Sequence, residues 1–512
     1  MSMTENQGDQ TKEKKIALAK TDLKDLPEVP PSQNGLEAQG IDGGLGRGDL
    51  PRDPSRRRWL RNAGLGVAGG ALACYGLSKL KVFPRPGGKE AKSEPTLISR
   101  RTNPKNGDEI SLLGFGCMRF PLLSTASDPY SSQVDEAASI RMIDRAIESG
   151  LNFFDSAYIY HGGRSEVIMG KALKRHDRSD FFISTKVPTI INPTLEQAKK
   201  IFVEQLERCQ TDYFDYYLLH GVTSTQKIKQ IYEANGILEY LLREKASGRV
   251  RNLGFSFHGD KECLEYLLSL AIDWDIALVQ LNYHDLLREY RPPIWLTAEL
   301  SAPAPPSWIL ERMSQTDIPL MVMEPLLGRR LAKLTRKALA VLQEDQQNAS
   351  AASWAFRYVA SIPKVAVVLS GMTLMEHLED NIKTFSPLNP ITPREITVLE
   401  RALDYFVNPN IIPCTGCGYC MPCPYGVDIP AVFSHYNDCQ DNELIPKGVR
   451  DPDYERARKA YLVGYDRSVP ELRQAERCAG CDKCLPKCPQ MIPVSSEIAR
   501  LGQYAQGLRN SP

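Results

Sequence analysis

The sequence has almost no net charge: 63 Lys and Arg against 62 Asp and Glu leave +1 over 512 residues. A field that weak does not gather nucleic acid, and there is no acidic tail to gather a basic partner. A long hydrophobic run is also missing. The apolar stretch at 62–77 is glycine-rich and shorter than the roughly 20 residues that span a bilayer. No G-x-G-x-x-G follows the first strand candidate, which removes the usual dinucleotide fingerprint of a doubly wound open sheet. Cysteine is plentiful, at 13, but lacks the spread of a disulfide-stapled secreted fold, because eight of the 13 fall in two tight runs near the C-terminus. What is present is a globular composition, 42% hydrophobic and 24% charged, in a chain long enough for more than one domain.

Residues 1–54 are rich in Lys, Asp, Gly, Pro, Gln and Glu and nearly free of aromatics, and are expected to form a disordered leader. Segment 55–80 opens with Ser55-Arg-Arg-Arg-Trp-Leu-Arg61, continues into the apolar run and places Ala71-Leu-Ala73 before Cys74. It is similar to a twin-arginine export signal, although the leader ahead of the arginines is unusually long. The plainer alternatives are a basic cluster beside a marginal membrane helix, or a nucleic-acid patch. The resemblance implies transient contact with export machinery and a periplasmic or membrane-associated destination, cytoplasmic if the signal is not used. A route that moves folded proteins suits an enzyme loaded with its cofactor before export. Residues 81–107 read as a linker.

From Ser111 to about Phe385 short β-rich runs alternate with helical patterns. The strand candidates are SLLGFGC, LNFFD, FFISTK, DYYLLH, VRNLGFSF, IALVQLNYH, PLMVMEPL and VAVVLSG. Between them lie stretches such as DEAASIRMIDRAIESG, whose Ile140, Ile143 and Ile147 fall at helical spacing. Eight strand–helix units predict an α/β fold, a (β/α)8 TIM barrel over 108–390, followed by a linker helix at 391–410. The segment LLREYRPPIWLTAELSAPAPPSW between the sixth and seventh strands reads equally as a lid or as a stiff surface insertion.

Asp155 ends the second strand, Lys186 the third and His220 the fourth, with Tyr160 five residues past Asp155. Singly these are ordinary: an Asp caps helices, a Lys is solvated, a lone His is usually packed. At the ends of successive barrel strands they converge on one mouth. In this arrangement NFFDSAYIY, STK and LLHG resemble the catalytic tetrad of the aldo-keto reductases. The similarity extends over the barrel, through GFGCMRFP, GFSFH, QLNYH and EHLEDN, and is closest to the branch with a C-terminal ferredoxin-type segment. Reducing a carbonyl requires a proton donor aimed at the forming alkoxide. Tyr160 suits that role, with Lys186 expected to lower its pKa, Asp155 to orient Lys186, and His220 to polarise the substrate oxygen.

The resemblance also implies an NAD(P)(H) site, with Ser256 and Gln280 at the carboxamide and Ser370 and Asn381 on the phosphate-facing side. Met323 stands where many relatives stack a tyrosine on the ring. NADP-selecting relatives place Lys and Arg where this chain has Gly371 and His377, so no NADP preference is read, since a 2′-phosphate wants a cation. A flavin, which could split a hydride into single electrons, is a further candidate that nothing in the sequence requires.

The second cysteine run, Cys478-x2-Cys481-x2-Cys484-x3-Cys488-Pro489, is the bacterial [4Fe–4S] ferredoxin pattern. The first run, Cys414, Cys417, Cys420 and Cys423 followed by Pro424, has x2 where the last spacing is usually x3. Structural zinc prefers two separated C-x2-C knuckles, and two runs of four leave thiols over. Disulfides within C-x2-C would be strained redox pairs. Residues 411–500 are therefore read as a domain for two [4Fe–4S] clusters. The ferredoxin pairing rule implies Cys414, Cys417, Cys420 and Cys488 on one, and Cys478, Cys481, Cys484 and Cys423 on the other. IPAVFSHYNDC and PDYERARKAYLVGY make this a small, mainly helical module, and Cys74, Cys117, Cys209, Cys263 and Cys439 are left as core or loop thiols. Function is read as nicotinamide-dependent interconversion of a small carbonyl and an alcohol, coupled through the clusters to a redox partner, with no nucleic acid involved. The alternative is an electron-transfer protein whose barrel binds a cofactor or partner without turnover.

Overall fold

The computed structural model describes residues 97–123, 132–189, 191–288, 303–406, 411–490 and 492–511. The leader at 1–54, the signal-like segment 55–80 and most of the proline-rich segment between the sixth and seventh strands lie outside these. The first described element is an antiparallel hairpin of β1 (Arg100–Thr102) and β2 (Glu109–Ser111). The stretch expected as a linker to 107 therefore already carries structure. It closes the floor of the barrel: Ile110 enters the interior, and the Tyr216 hydroxyl donates to Asp108 at 2.7 Å and accepts from Asn103 at 3.1 Å.

Eight parallel strands form the closed barrel: β3 (Leu113–Gly116), β4 (Phe153–Asp155), β5 (Phe182–Pro188), β6 (Phe214–Val222), β7 (Val250–Phe257), β8 (Ile276–Gln280), β9 (Leu320–Met323) and β10 (Val365–Ser370). Each coincides with one of the eight predicted runs, β5 and β6 extending past the ends of theirs, and β10 returns to pair with β3 through Val368↔Leu113 and Ser370↔Phe115. Alternation sends Phe153, Leu218, Ile276, Met321 and Val367 inward. The opposite faces carry Phe115, Phe154, Leu219 and Phe255 against the helices. Helix Glu136–Glu148 is capped by the Asp135 carboxylate, which accepts from the Ala138 amide at 2.9 Å, and buries Met142, Ile143 and Ala146.

Helix Pro393–Leu403, expected as a linker, packs Val398, Leu399 and Leu403 on Val341, Leu342 and Trp354 and so belongs to the barrel's outer layer. Helices Ile429–Asp441, Tyr454–Ser468 and Val494–Asn510 then build a second core around Phe433, Tyr461, Tyr465, Ile498 and Leu501, with both cysteine runs beside it. The last helix continues past the expected boundary at 500. Among the described residues no helix is long and apolar enough to cross a membrane.

Candidate active site

Asp155 ends β4 and pairs across to Ser184 of β5, two residues before Lys186. The Lys186 ammonium donates to both Asp155 carboxylate oxygens, at 2.8 and 2.6 Å, and to the Ser156 carbonyl at 2.7 Å. The Ser184 hydroxyl adds a bond to Asp155 at 2.8 Å. Lys186 is 1% exposed and Asp155 3%, so each charge depends on the other for compensation. Behind them the Gln205 amide donates to the Lys186 carbonyl at 3.1 Å and to Glu166 at 2.7 Å, fixing the strand. Tyr160 lies in the turn after β4, its ring 5.3 Å from the Lys186 ammonium and 6.0 Å, edge-on, from His220. The four predicted residues therefore meet at one mouth.

Their electrostatics differ from the expectation. Burial first, then the neighbouring Tyr419 and Asp155, hold the Tyr160 phenol well above its ordinary pKa instead of lowering it. The Lys186 ammonium, already bonded to three acceptors, lies over the Tyr160 ring, and burial of the phenol outweighs it. Burial, with Lys186 and His258 nearby, drives His220 well below the usual histidine value. The proton available here is thus phenolic, and the imidazole is neutral.

A fifth residue reaches the same point from the far end of the chain. The Tyr419 hydroxyl, between Cys417 and Cys420, lies 2.7 Å from His220 Nε2 and hydrogen-bonds Tyr160. Its loop rests on the barrel mouth. Arg119 donates to the carbonyls of Thr415 and Gly416, while Glu324 meets the Thr415 side chain and accepts from the Gly328 amide at 2.7 Å. Gly328, at φ +62°, passes so close that an added Cβ would stand 2.5 Å from Thr415 Cα. Burial raises the Glu324 carboxyl pKa despite Arg119. Sequence reading missed Arg119, Glu324 and Tyr419. The first two neighbour marked strand ends, and Tyr419 sits in a motif read only for its thiols.

The residues expected at a nicotinamide lie at the ends of β7, β8 and β10 and in helix Met375–Phe385. Asn381 donates to the Ser370 hydroxyl at 3.0 Å, so the phosphate-side pair is assembled. Gln280 donates to Asp285 at 3.3 Å and accepts from Gln490 of the cysteine domain at 3.1 Å. Ser256 lies 3.5 Å from His258 Nε2. Half-buried Met323 ends β9. His377 accepts weakly from the Leu374 amide at 3.4 Å, and Gly371 backs onto the aliphatic stem of Arg119, whose guanidinium is turned to the Thr415 and Gly416 carbonyls. The donor types fit a nicotinamide, and Gln490 of the cysteine domain meets Gln280 among them.

The eight clustered cysteines are free thiols around two neighbouring cavities. Cys423, Cys478, Cys481 and Cys484, with Cys420, line one of about 180 Å3. Cys414, Cys417, Cys420 and Cys488 line the other, beside Ile429 and Phe433. Among the described residues no three His, Cys, Asp or Glu side chains converge tightly enough for a single metal ion. The eight thiols thus gather into two neighbouring groups. Burial pushes Cys414 and Cys417 up to about 12 despite the nearby Arg119. Cys117, Cys209, Cys263 and Cys439 are buried in the cores.

A family model described as the aldo/keto reductase family matches residues 112–404, and one described as a 4Fe-4S dicluster domain matches 413–492. The chain is 26% identical over 309 residues to the uncharacterized oxidoreductase YqkF of Bacillus subtilis, covering 57% of this chain and 92% of that protein. It is 30% identical over 182 residues to norsolorinic acid reductase A of Aspergillus parasiticus, covering 32% and 45% respectively. Among solved structures, the holo form of an aldo-keto reductase from Bacillus halodurans aligns with a TM-score of 0.46 at 21% identity, covering 60% of this chain and 96% of that one. The first family model spans more than half of the chain, and the barrel it covers is the one described above: this protein belongs to the aldo/keto reductase family of oxidoreductases and carries a C-terminal 4Fe-4S ferredoxin-type domain.

Proposed function

We propose that the barrel interconverts a small carbonyl and an alcohol, and that its redox chemistry is joined to two [4Fe–4S] clusters. One would be held by Cys414, Cys417, Cys420 and Cys488, the other by Cys423, Cys478, Cys481 and Cys484, as the cavity linings suggest. The observation that carries the reading is the convergence of the Tyr160 hydroxyl and His220 Nε2 on one oxygen-sized position, marked by Tyr419.

A carbonyl oxygen in that position accepts a hydrogen bond from the His220 imidazole, neutral as its lowered pKa requires. The Tyr160 phenol, kept protonated by burial, delivers the proton as the oxygen gains charge, and takes it back in the reverse direction. Asp155 and Lys186 hold a fixed positive charge beneath the Tyr160 ring, where it favours the phenolate formed in that step. Ser256, Gln280, Ser370 and Asn381 would hold a nicotinamide cofactor, which supplies the hydride; a flavin is the alternative carrier. The clusters would pass single electrons to a redox partner.

The seating of Tyr419 on the tetrad also favours a second reading, an electron-transfer protein without carbonyl turnover. Anaerobic reconstitution decides between them. Full-length protein should hold about eight iron atoms, falling to about four in Cys488→Ser. With NADH or NADPH and a panel of aldehydes and ketones, Tyr160→Phe should lower kcat by about 10²–10⁴ at unchanged iron content. Equal turnover in that variant defeats the tetrad assignment, and no turnover by iron-replete protein selects the second reading. The Arg56-Arg57 pair and the apolar run behind it support export of the folded protein by the twin-arginine route; retention of an Arg56→Lys, Arg57→Lys variant inside the cell, with the unaltered chain outside the cytoplasm, is the expected result.

A further inference from the structure

We propose that the Tyr419 phenol occupies the substrate-oxygen position of the tetrad, which makes the first cysteine loop a tethered stopper and marks the site as one that takes an aromatic ring bearing an oxygen. The inference rests on the carbonyl–alcohol reading for its choice of reacting position.

Three observations support it. The Tyr419 hydroxyl bonds His220 Nε2 at 2.7 Å and also bonds Tyr160, the two groups that would flank a substrate oxygen. Its ring meets His220 edge-on at 5.8 Å, so the space above the tetrad already accommodates an aryl group. The loop is footed independently, through Arg119 on Gly416, Glu324 on Thr415 and the close passage of Gly328. Cys417 and Cys420 flank Tyr419 and line the same cavity. Anything that binds the tetrad must therefore lift a segment belonging to the thiol site, and by linkage whatever fixes that segment resists binding at the tetrad. A tethered phenol competes at high effective concentration, so a free ligand of the same chemistry binds the unaltered chain more weakly than a chain without the tether.

The probe is 4-cresol, the tyrosine side chain without its backbone, titrated by calorimetry into iron-replete protein without cofactor or turnover. Tyr419→Ala should bind it about 100-fold more tightly than the unaltered chain. Tyr419→Phe, which keeps the ring in place, should gain far less. Adding Tyr160→Phe to Tyr419→Ala should weaken the binding again. Gly328→Ala, which crowds Thr415 without touching Tyr419, should also gain affinity, and it serves if Tyr419→Ala does not fold. Equal binding by the unaltered chain and both loop variants, or no binding by any of them, overturns the proposal. Because the titration involves no catalysis, its failure is separate from failure of the Tyr160→Phe assay.

Discussion

The Asp155–Lys186 pair shows how far single residues can be read. Both were legible as strand-end charges in a barrel pattern, and three acceptors around one ammonium follow from their register on adjacent strands. What sequence could not weigh was the burial of Tyr160, which raises its pKa overall. The Lys186 ammonium, 5.3 Å from the ring, favours the phenolate, but burial disfavours it more. The pair's energetics are testable apart from catalysis. Asp155→Asn keeps the shape but leaves the buried Lys186 charge without its counter-ion, so urea unfolding should show a loss of roughly 3 kcal/mol. The Lys186→Met, Asp155→Asn double variant should recover part of it.

At the scale of elements, periodicity predicted the eight strands because each is buried on both faces and reads as a short apolar run. It predicted the helices less exactly in their packing, since helix–helix approach depends on where small residues fall. Gly170, in helix Arg164–Leu173, is such a place. A Cβ there would lie 2.4 Å from the Arg208 carbonyl and 2.6 Å from the Cys209 carbonyl carbon, at the end of helix Leu195–Cys209. Nothing at that spot is a flexible side chain that could yield. Gly170→Ala should therefore destabilise the barrel by about 1–3 kcal/mol, seen as a lower denaturant midpoint at an unchanged slope. The first strand of the floor hairpin was read as linker for a related reason: a strand of three residues carries too little alternation to register.

For the molecule as a whole, the acid limb of stability should reflect histidines buried at the barrel mouth. Burial lowers His258 from an ordinary 6.5 to about 4, and burial with Lys186 nearby also lowers His220 well below its ordinary value. Between those values the unfolded chain binds protons that the folded chain refuses. The stabilisation is thus fully present above about pH 6.5 and drains away as the pH falls through about 4. His258→Gln should flatten the fall in urea midpoint across that window, by at most about 3 kcal/mol, at matched iron content. A profile as steep as that of the unaltered chain would remove His258 from this role.

The amino-acid sequence alone determined the barrel, its four strand-end residues and the eight thiols, because each is written locally: apolar runs of strand length, polar residues where those runs stop, and cysteines at fixed short intervals. Only the tertiary structure decided that the cysteine loop closes back onto the barrel. Tyr419 and His220 are 199 residues apart. No period or spacing records a contact over that distance, which exists because Arg119 after β3, with Glu324 and Gly328 after β9, makes one footing for Thr415 and Gly416. A stretch that reads as a ligand loop is, in the folded chain, also the occupant of the active site.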